Sequence, residues 1–200
     1  MNAYDIIFHF YPADTPLRRL LVLHSEKVRD KAFSILQQAR QGQYPAALDT
    51  IDETLVNDGA LLHDIGIGRT DAPGILCEGT EPYICHGTIG AEMIRRYGRE
   101  NGDTSHRWEA IARICERHTG AGLTVENIID QQLPITPVRD LLPETLEEKL
   151  ICLADKFYSK SGNPEQEKDT SRVMRSMMKF GDDSRARFEA LCQTFCLDGC

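Results

Sequence analysis

Six residues carry the chemistry this chain could perform: His24, the adjacent pair His63 and Asp64, His86, His118 and Asp155. Neutral imidazole together with carboxylate is a ligand set for Zn, Fe or Mn. A lone histidine on an apolar stripe is more often a satisfied core residue than a ligand. Here four histidines and two aspartates fall on inward or terminal positions of different expected helices. Buried apart from one another, such groups would each cost on the order of 1–3 kcal/mol without a partner. Convergence on a cation removes all of those costs together. Six ligands exceed what one tetrahedral zinc uses, so two metal ions are expected, with Asp64 as the bridging carboxylate. Adjacent helical residues point about 100° apart, which the end of a helix tolerates when two ions lie side by side. Two ions roughly 3.5–4 Å apart can hold a bridging hydroxide as nucleophile and bind phosphoryl oxygens for in-line displacement. Hydrolysis of a phosphate ester or anhydride follows, with Asp64 as its catalytic residue.

The elements that must position these residues read as helices nearly throughout, with no convincing run of alternating apolar and polar residues, so an all-α domain is expected. After a short helix at about 4–11, Thr15 and Pro16 form an N-cap and first-turn proline. The stripe Leu17, Leu20, Leu21, His24, Val28, Ala32, Ile35 and Ala39 then continues to a stop at Gly42. A third helix is expected from near Asp49 to the His63-Asp64 pair, stopped by Gly66. Residues 66–85 hold four glycines and two prolines and read as a long loop bordering a site. His86 opens the next helix, Ser105 caps another that places His118 in its last turn, and Thr145 to Glu148 is a capping box before the stripe of Leu146, Leu150, Leu153 and Phe157. Two C-terminal helices complete the pattern at about 165–197. Residues 159–170, SKSGNPEQEKDT, read as the only linker-like stretch.

The order His24, then His63-Asp64 within LLHDIG, then His86, His118 and Asp155 resembles the HD-domain superfamily of metal-dependent phosphohydrolases. HGTIGAEMIRRYG, ARICERHTGAG and LADKF are similar to its HDIG-type branch, in particular to the YqeK-like binuclear subgroup of dinucleoside tetraphosphate hydrolases. The resemblance spans about residues 17–160. It implies an HD-domain helical bundle in which His24, His63, Asp64 and Asp155 bind a first metal, and His86 and His118 complete a second through the bridging Asp64. Many HDIG proteins carry a lysine directly after the glycine, whereas this chain has Ile67. Arg69 in the glycine-rich loop, and Lys156 beside Asp155, are therefore the expected substrate-binding cations. Fe or Mn is the expected metal, with Zn, Ni, Co and Mg as alternatives. Some HD-fold proteins with this six-ligand pattern activate dioxygen, so a di-iron oxygenase is the alternative reading, and a nucleotide sensor without turnover is a third.

Composition narrows the partners. With 200 residues, 41% hydrophobic and 27% charged, the chain is expected to form a single globular domain, residues 1–200, with an HD core at about 17–160. Twenty-three Lys and Arg against 31 Asp and Glu leave a net charge of −8, which argues against nucleic acid as a partner. A small phosphorylated metabolite is expected instead, a nucleotide being the favoured class, and it must be held by local cations. The opening segment MNAYDIIFHFYPADTP lacks a cationic and a long apolar region, so neither secretion nor membrane spanning is expected. Seven cysteines without a CxxC pair read as reduced thiols of a cytoplasmic protein. No feature of the sequence sets an oligomeric state. His9 and His106 lie outside the motif and are expected at the surface.

Overall fold

A computed structural model describes residues 2–41, 46–103 and 105–197, and the expected helix stop at Gly42 lies outside them. Helix α1 (Ala3–Phe10) starts at a reciprocal cap in which the Asn2 side chain accepts from the Asp5 amide and the Asp5 carboxylate accepts from the Asn2 amide. Helix α2 (Pro16–Gln41) is the long spine, about 39 Å at 1.5 Å per residue. Its first turn is held by Thr15 Oγ1, which accepts from the Arg18 amide at 3.1 Å. One buried stripe, Leu21, His24, Ser25, Val28, Ala32, Ile35, Leu36 and Ala39, runs its length.

Helix α3 (Glu53–Leu62) begins later than expected. Residues Ala46–Thr50 form a 3₁₀ turn, and Asp52 caps α3 by accepting from the amides of Thr54 and Leu55. Residues 66–85, expected as a loop, contain 3₁₀ turns and three strands of two or three residues: β1 (Thr70–Ala72), β2 (Cys77–Glu78) and β3 (Glu81–Pro82). The order is β2-β1-β3, with β1 antiparallel to β2 (Ala72 opposite Cys77) and parallel to β3 (Thr70 opposite Glu81). Strands this short carry no readable alternation, and the fold remains all-α.

Helices α4 (His86–Glu100) and α5 (His106–Arg117) cross closely through glycine. A Cβ on Gly87 would lie 2.5 Å from the Cys115 carbonyl oxygen, and one on Gly98 would lie 2.7 Å from the Trp108 ring. A short α6 (Val125–Asp130) was not expected from the sequence. Helix α7 (Leu146–Asp155) opens with the Thr145–Glu148 capping box. Helices α8 (Thr170–Met177) and α9 (Asp182–Thr194) follow, the second starting after Gly181 at φ 97°.

Among the described residues two large apolar clusters make most of the core, and a smaller third gathers Cys85, Ile128, Ile135 and Leu141. One of the large clusters joins α2, α3 and α7 to the C-terminal helices through Val28, Ile35, Ile151, Phe157, Val173, Phe188 and Phe195. The other joins α1, α4 and α5 to Leu21, Leu62, Ile65 and Ile67. Ala60 belongs to the first cluster and Leu61 to the second, so the chain steps from one to the other just before His63. Cys115 and Cys152 are fully buried as small apolar fillers. Cys77, Cys85, Cys115, Cys152 and Cys196 are free thiols, but Cys192 is disulfide-bonded, which corrects the expectation that every cysteine is reduced.

Candidate metal centre

Helix ends deliver most of the site. His63 is the first residue beyond α3, His86 the first residue of α4, His118 the first beyond α5, and Asp155 the last of α7, while His24 projects from the middle of α2. All six residues, with Asp64, are buried. They form two groups that share Asp64: His24, His63, Asp64 and Asp155 in one, and Asp64, His86 and His118 in the other, with ligand-type atoms within 4.8 Å of one another in each.

The Asp64 carboxylate faces both groups. Its Oδ2 lies 3.2 Å from His24 Nε2 and 3.2 Å from His63 Nε2, and its Oδ1 lies 3.4 Å from Nε2 of both His86 and His118. Asp155 Oδ1 closes the first group at 3.0 Å from His24 Nε2 and 3.5 Å from His63 Nε2. Three imidazoles are oriented alike. The Nδ1–H groups of His63, His86 and His118 donate to the carbonyls of Ala60, Tyr83 and Cys115, each at 2.7 Å. That bond fixes the tautomer and turns the Nε2 lone pair inward.

This arrangement fits a cation better than it fits a hydrogen-bond network. His86 Nε2 and His118 Nε2 sit 3.0 Å apart, and both face Asp64 Oδ1. With their protons on Nδ1, all three are acceptors and no proton lies between them. His63 Nε2 and Asp64 Oδ1 are buried with no hydrogen-bond partner. A buried acceptor cluster of this kind is costly unless a positive charge sits within it.

The charge states differ between the two groups. Burial, followed by the neighbouring His118, pushes the His86 pKa down to about 3, so its imidazole is neutral and free to coordinate. Burial also lowers His118. At His63 burial opposes the imidazolium, but Asp64 and Asp155 outweigh it and push the pKa up to about 9. A cation there must displace that proton. Burial opposes ionisation of Asp64 and Asp155 as well. Lys160 and His63 nevertheless hold Asp64 well below the usual carboxylate range, and Lys156 and Lys160 do the same for Asp155.

Neighbouring groups brace the site. The Tyr11 hydroxyl donates to the Ile65 carbonyl at 2.7 Å and accepts from the Gly68 amide at 3.0 Å, clamping the turn after Asp64. Tyr83 stacks on His86 with centroids 4.6 Å apart. The Cys115 thiol donates to the Leu62 carbonyl at 3.3 Å.

The expected substrate-binding cations part company. Lys156 lies at the site, its Nζ donating to Asp155 Oδ2 at 2.5 Å and to the His118 carbonyl at 3.0 Å. Arg69 is exposed and lines a different cavity with Tyr11, Glu92 and Arg96. Two further cations were missed. Lys160 Nζ sits 2.6 Å from Asp64 Oδ2 and 3.2 Å from His24 Nε2, and Lys168 Nζ donates to the carbonyls of Lys156 and Tyr158. Both come from the stretch that reads as a linker, where only the lysines themselves were a signal. His9 and His106 are exposed, as expected. A cavity of about 490 Å³ opens over Asp155, lined by Tyr83, Lys156, Lys160, Lys168, Met177 and Phe180 among others.

A helical bundle whose helix ends converge histidines and aspartates around one shared carboxylate is a metal-binding helical domain of the His-Asp type. The chain belongs to the HD-domain family, whose model matches residues 21–159. It is 43% identical over 135 residues to an uncharacterized protein of Methanocaldococcus jannaschii, covering 68% of this chain and 64% of that protein. It is also 42% identical over 141 residues to a tRNA (cytidine(56)-2'-O)-methyltransferase of Picrophilus torridus, covering 70% of this chain and 35% of the enzyme. The protein of the same name from Thermoplasma volcanium is 28% identical over 155 residues, covering 78% of this chain and 35% of that enzyme. The chain thus spans just under two thirds of the first relative and about a third of the two methyltransferases. Among the described residues no helix is long and apolar enough to cross a membrane.

Proposed function

We propose that this chain is a phosphohydrolase that uses two divalent cations, Fe or Mn, to cleave a phosphate ester or anhydride of a small metabolite, with a nucleotide as the favoured class. The observation that supports it most is the two-faced Asp64 carboxylate, with Oδ2 toward His24 and His63 and Oδ1 toward His86 and His118. In this reading His24, His63, Asp64 and Asp155 hold one ion, and Asp64, His86 and His118 hold the other. Such a pair supplies a water of lowered pKa and a clamp for phosphoryl oxygens.

The chain's own residues do the rest. The Nδ1–H bonds of His63, His86 and His118 hold three rings in place before any ion arrives, and Tyr11 holds the turn that carries Asp64. Lys156 lines the cavity and offers an ammonium to an anionic group bound there. The volume of about 490 Å³ lies within the usual range of small-ligand sites. Met177 and Phe180 offer an apolar wall for the non-phosphate part. Methyl transfer to tRNA names two longer relatives of which this chain matches 35%, and a net charge of −8 argues against RNA as its partner.

The test is metal analysis of the purified protein followed by assay of phosphate monoesters, phosphodiesters and nucleoside polyphosphates with Mn²⁺ or Fe²⁺ present. Phosphoryl hydrolysis that chelation abolishes and Asp64→Ala lacks is the expected result. Absence of hydrolysis on every class, with metal bound, would refute the proposal, and oxygen consumption by the iron-loaded protein would replace it with the oxygenase reading.

A further inference from the structure

Lys160 follows α7 in a polar stretch, yet its side chain is only 10% exposed and its ammonium lies inside the site. Its Nζ is 2.6 Å from Asp64 Oδ2 and 3.2 Å from His24 Nε2, two atoms of the first ligand group. A cation bound to imidazole nitrogen and carboxylate oxygen sits about 2.0–2.2 Å from each. The ammonium fills the space such an ion needs, and two like charges cannot share it. With no ion bound, the buried carboxylates of Asp64 and Asp155 still require a positive charge, and Lys160 supplies one to Asp64 beside the one Lys156 supplies to Asp155.

We propose that Lys160 is a displaceable internal cation: it occupies the Asp64–His24 position when the site holds no metal, and metal loading drives its ammonium out into the cavity that Lys156 and Lys168 also line. Lys160 already lines the cavity of about 490 Å³ together with Ser159 and Ser161, so its side chain borders the space it would move into. Gly162 at φ 75°, two residues on, turns the chain there. The expelled ammonium joins two others that line the cavity, so metal loading adds a positive charge where an anionic substrate would bind. The inference rests on reading the site as a metal centre, and it is independent of whether phosphate is the substrate.

Two measurements test it without turnover. The wild-type protein is acylated at its amines with and without Mn²⁺, and modification is read by peptide mass spectrometry. Lys160 modification is expected to rise at least fivefold with Mn²⁺ while exposed Lys179 stays constant; an unchanged or lower value at Lys160 would overturn the proposal. Lys160→Met, which keeps length and removes charge, is expected to bind Mn²⁺ at least tenfold more tightly and to melt lower when metal-free. Unchanged or weaker Mn²⁺ binding by this variant would likewise overturn it. Should the variant not fold, the wild-type labelling decides alone. Should the wild-type protein bind no Mn²⁺ at all, the metal-centre reading falls with this one, whereas Mn²⁺ binding with unaltered labelling removes this one only.

Discussion

Adding one methyl group at Gly66 separates the packing that assembles the site from the ligands themselves. A Cβ there would lie 2.2 Å from the His86 carbonyl oxygen and 2.5 Å from the Gly90 amide nitrogen, both backbone atoms of α4. The first contact is roughly 1.3 Å inside the 3.5–4.0 Å optimum for non-bonded heavy atoms. A side chain could rotate away, but backbone cannot, so the turn after Asp64 and the start of α4 must separate. Overpacking of a well-filled interior costs about 1–3 kcal/mol, and a backbone obstacle places Gly66→Ala near about 3 kcal/mol. For a chain of this size each kcal/mol moves Tm by about 2–4 °C, so a loss of about 6–12 °C is expected by thermal unfolding of the metal-free protein. The same separation moves His86 away from Asp64 Oδ1, so the second group should lose its ion while His24, His63 and Asp155 keep theirs. Metal content per chain should therefore fall from about two toward one. Gly74→Ala, where a Cβ meets nothing within 4 Å, is the control and should change neither quantity. A Gly66→Ala protein with wild-type Tm and full metal content would refute the claim that this glycine sets the distance between α4 and the ligand-bearing turn.

Asp64→Ala should lose nearly all bound metal and His86→Ala only the second ion, because only Asp64 faces both groups; equal losses by elemental analysis would count against a bridging role. Lys156→Ala should raise the apparent KM for a phosphorylated substrate about tenfold or more, as expected for loss of a charge-assisted hydrogen bond. Arg69→Ala, in a separate cavity, should leave KM unchanged, and the opposite ranking in steady-state assays would move the phosphate contact to Arg69. Acid sensitivity should depend on Glu144, whose pKa is lowered to about 2 by Arg113 and Arg117. A depressed carboxyl pKa gives stability that is present above the unfolded value of 4.5 and is lost as pH falls toward 2. Glu144→Gln should therefore flatten the stability profile over that window, and an unaltered profile by urea unfolding would rule the group out as a contributor.

The helices were legible because their evidence is local. The stripe from Leu21 to Ala39 repeats at helical spacing, and Thr145 and Glu148 stand at the separation a capping box needs. The six candidate ligands were legible too, since polar residues on apolar stripes signal a burial that must be compensated. The start of α3 shifted because Asp52, and not Asp49, makes the capping bonds, and both acids look alike in sequence. The three short strands and α6 were hidden because two to six residues are too few to show a period. Arg69 and Lys160 show the deeper limit. Each is a cation in a glycine-bearing polar stretch, and nothing in the neighbouring residues distinguishes them. The path of the chain after α7 folds Lys160 onto Asp64, while Arg69, five residues beyond Asp64, faces another cavity. Periodicity reports which face of an element is buried, whereas the partner a flexible charged side chain reaches depends on contacts between segments far apart in the chain, and only the assembled fold decides those.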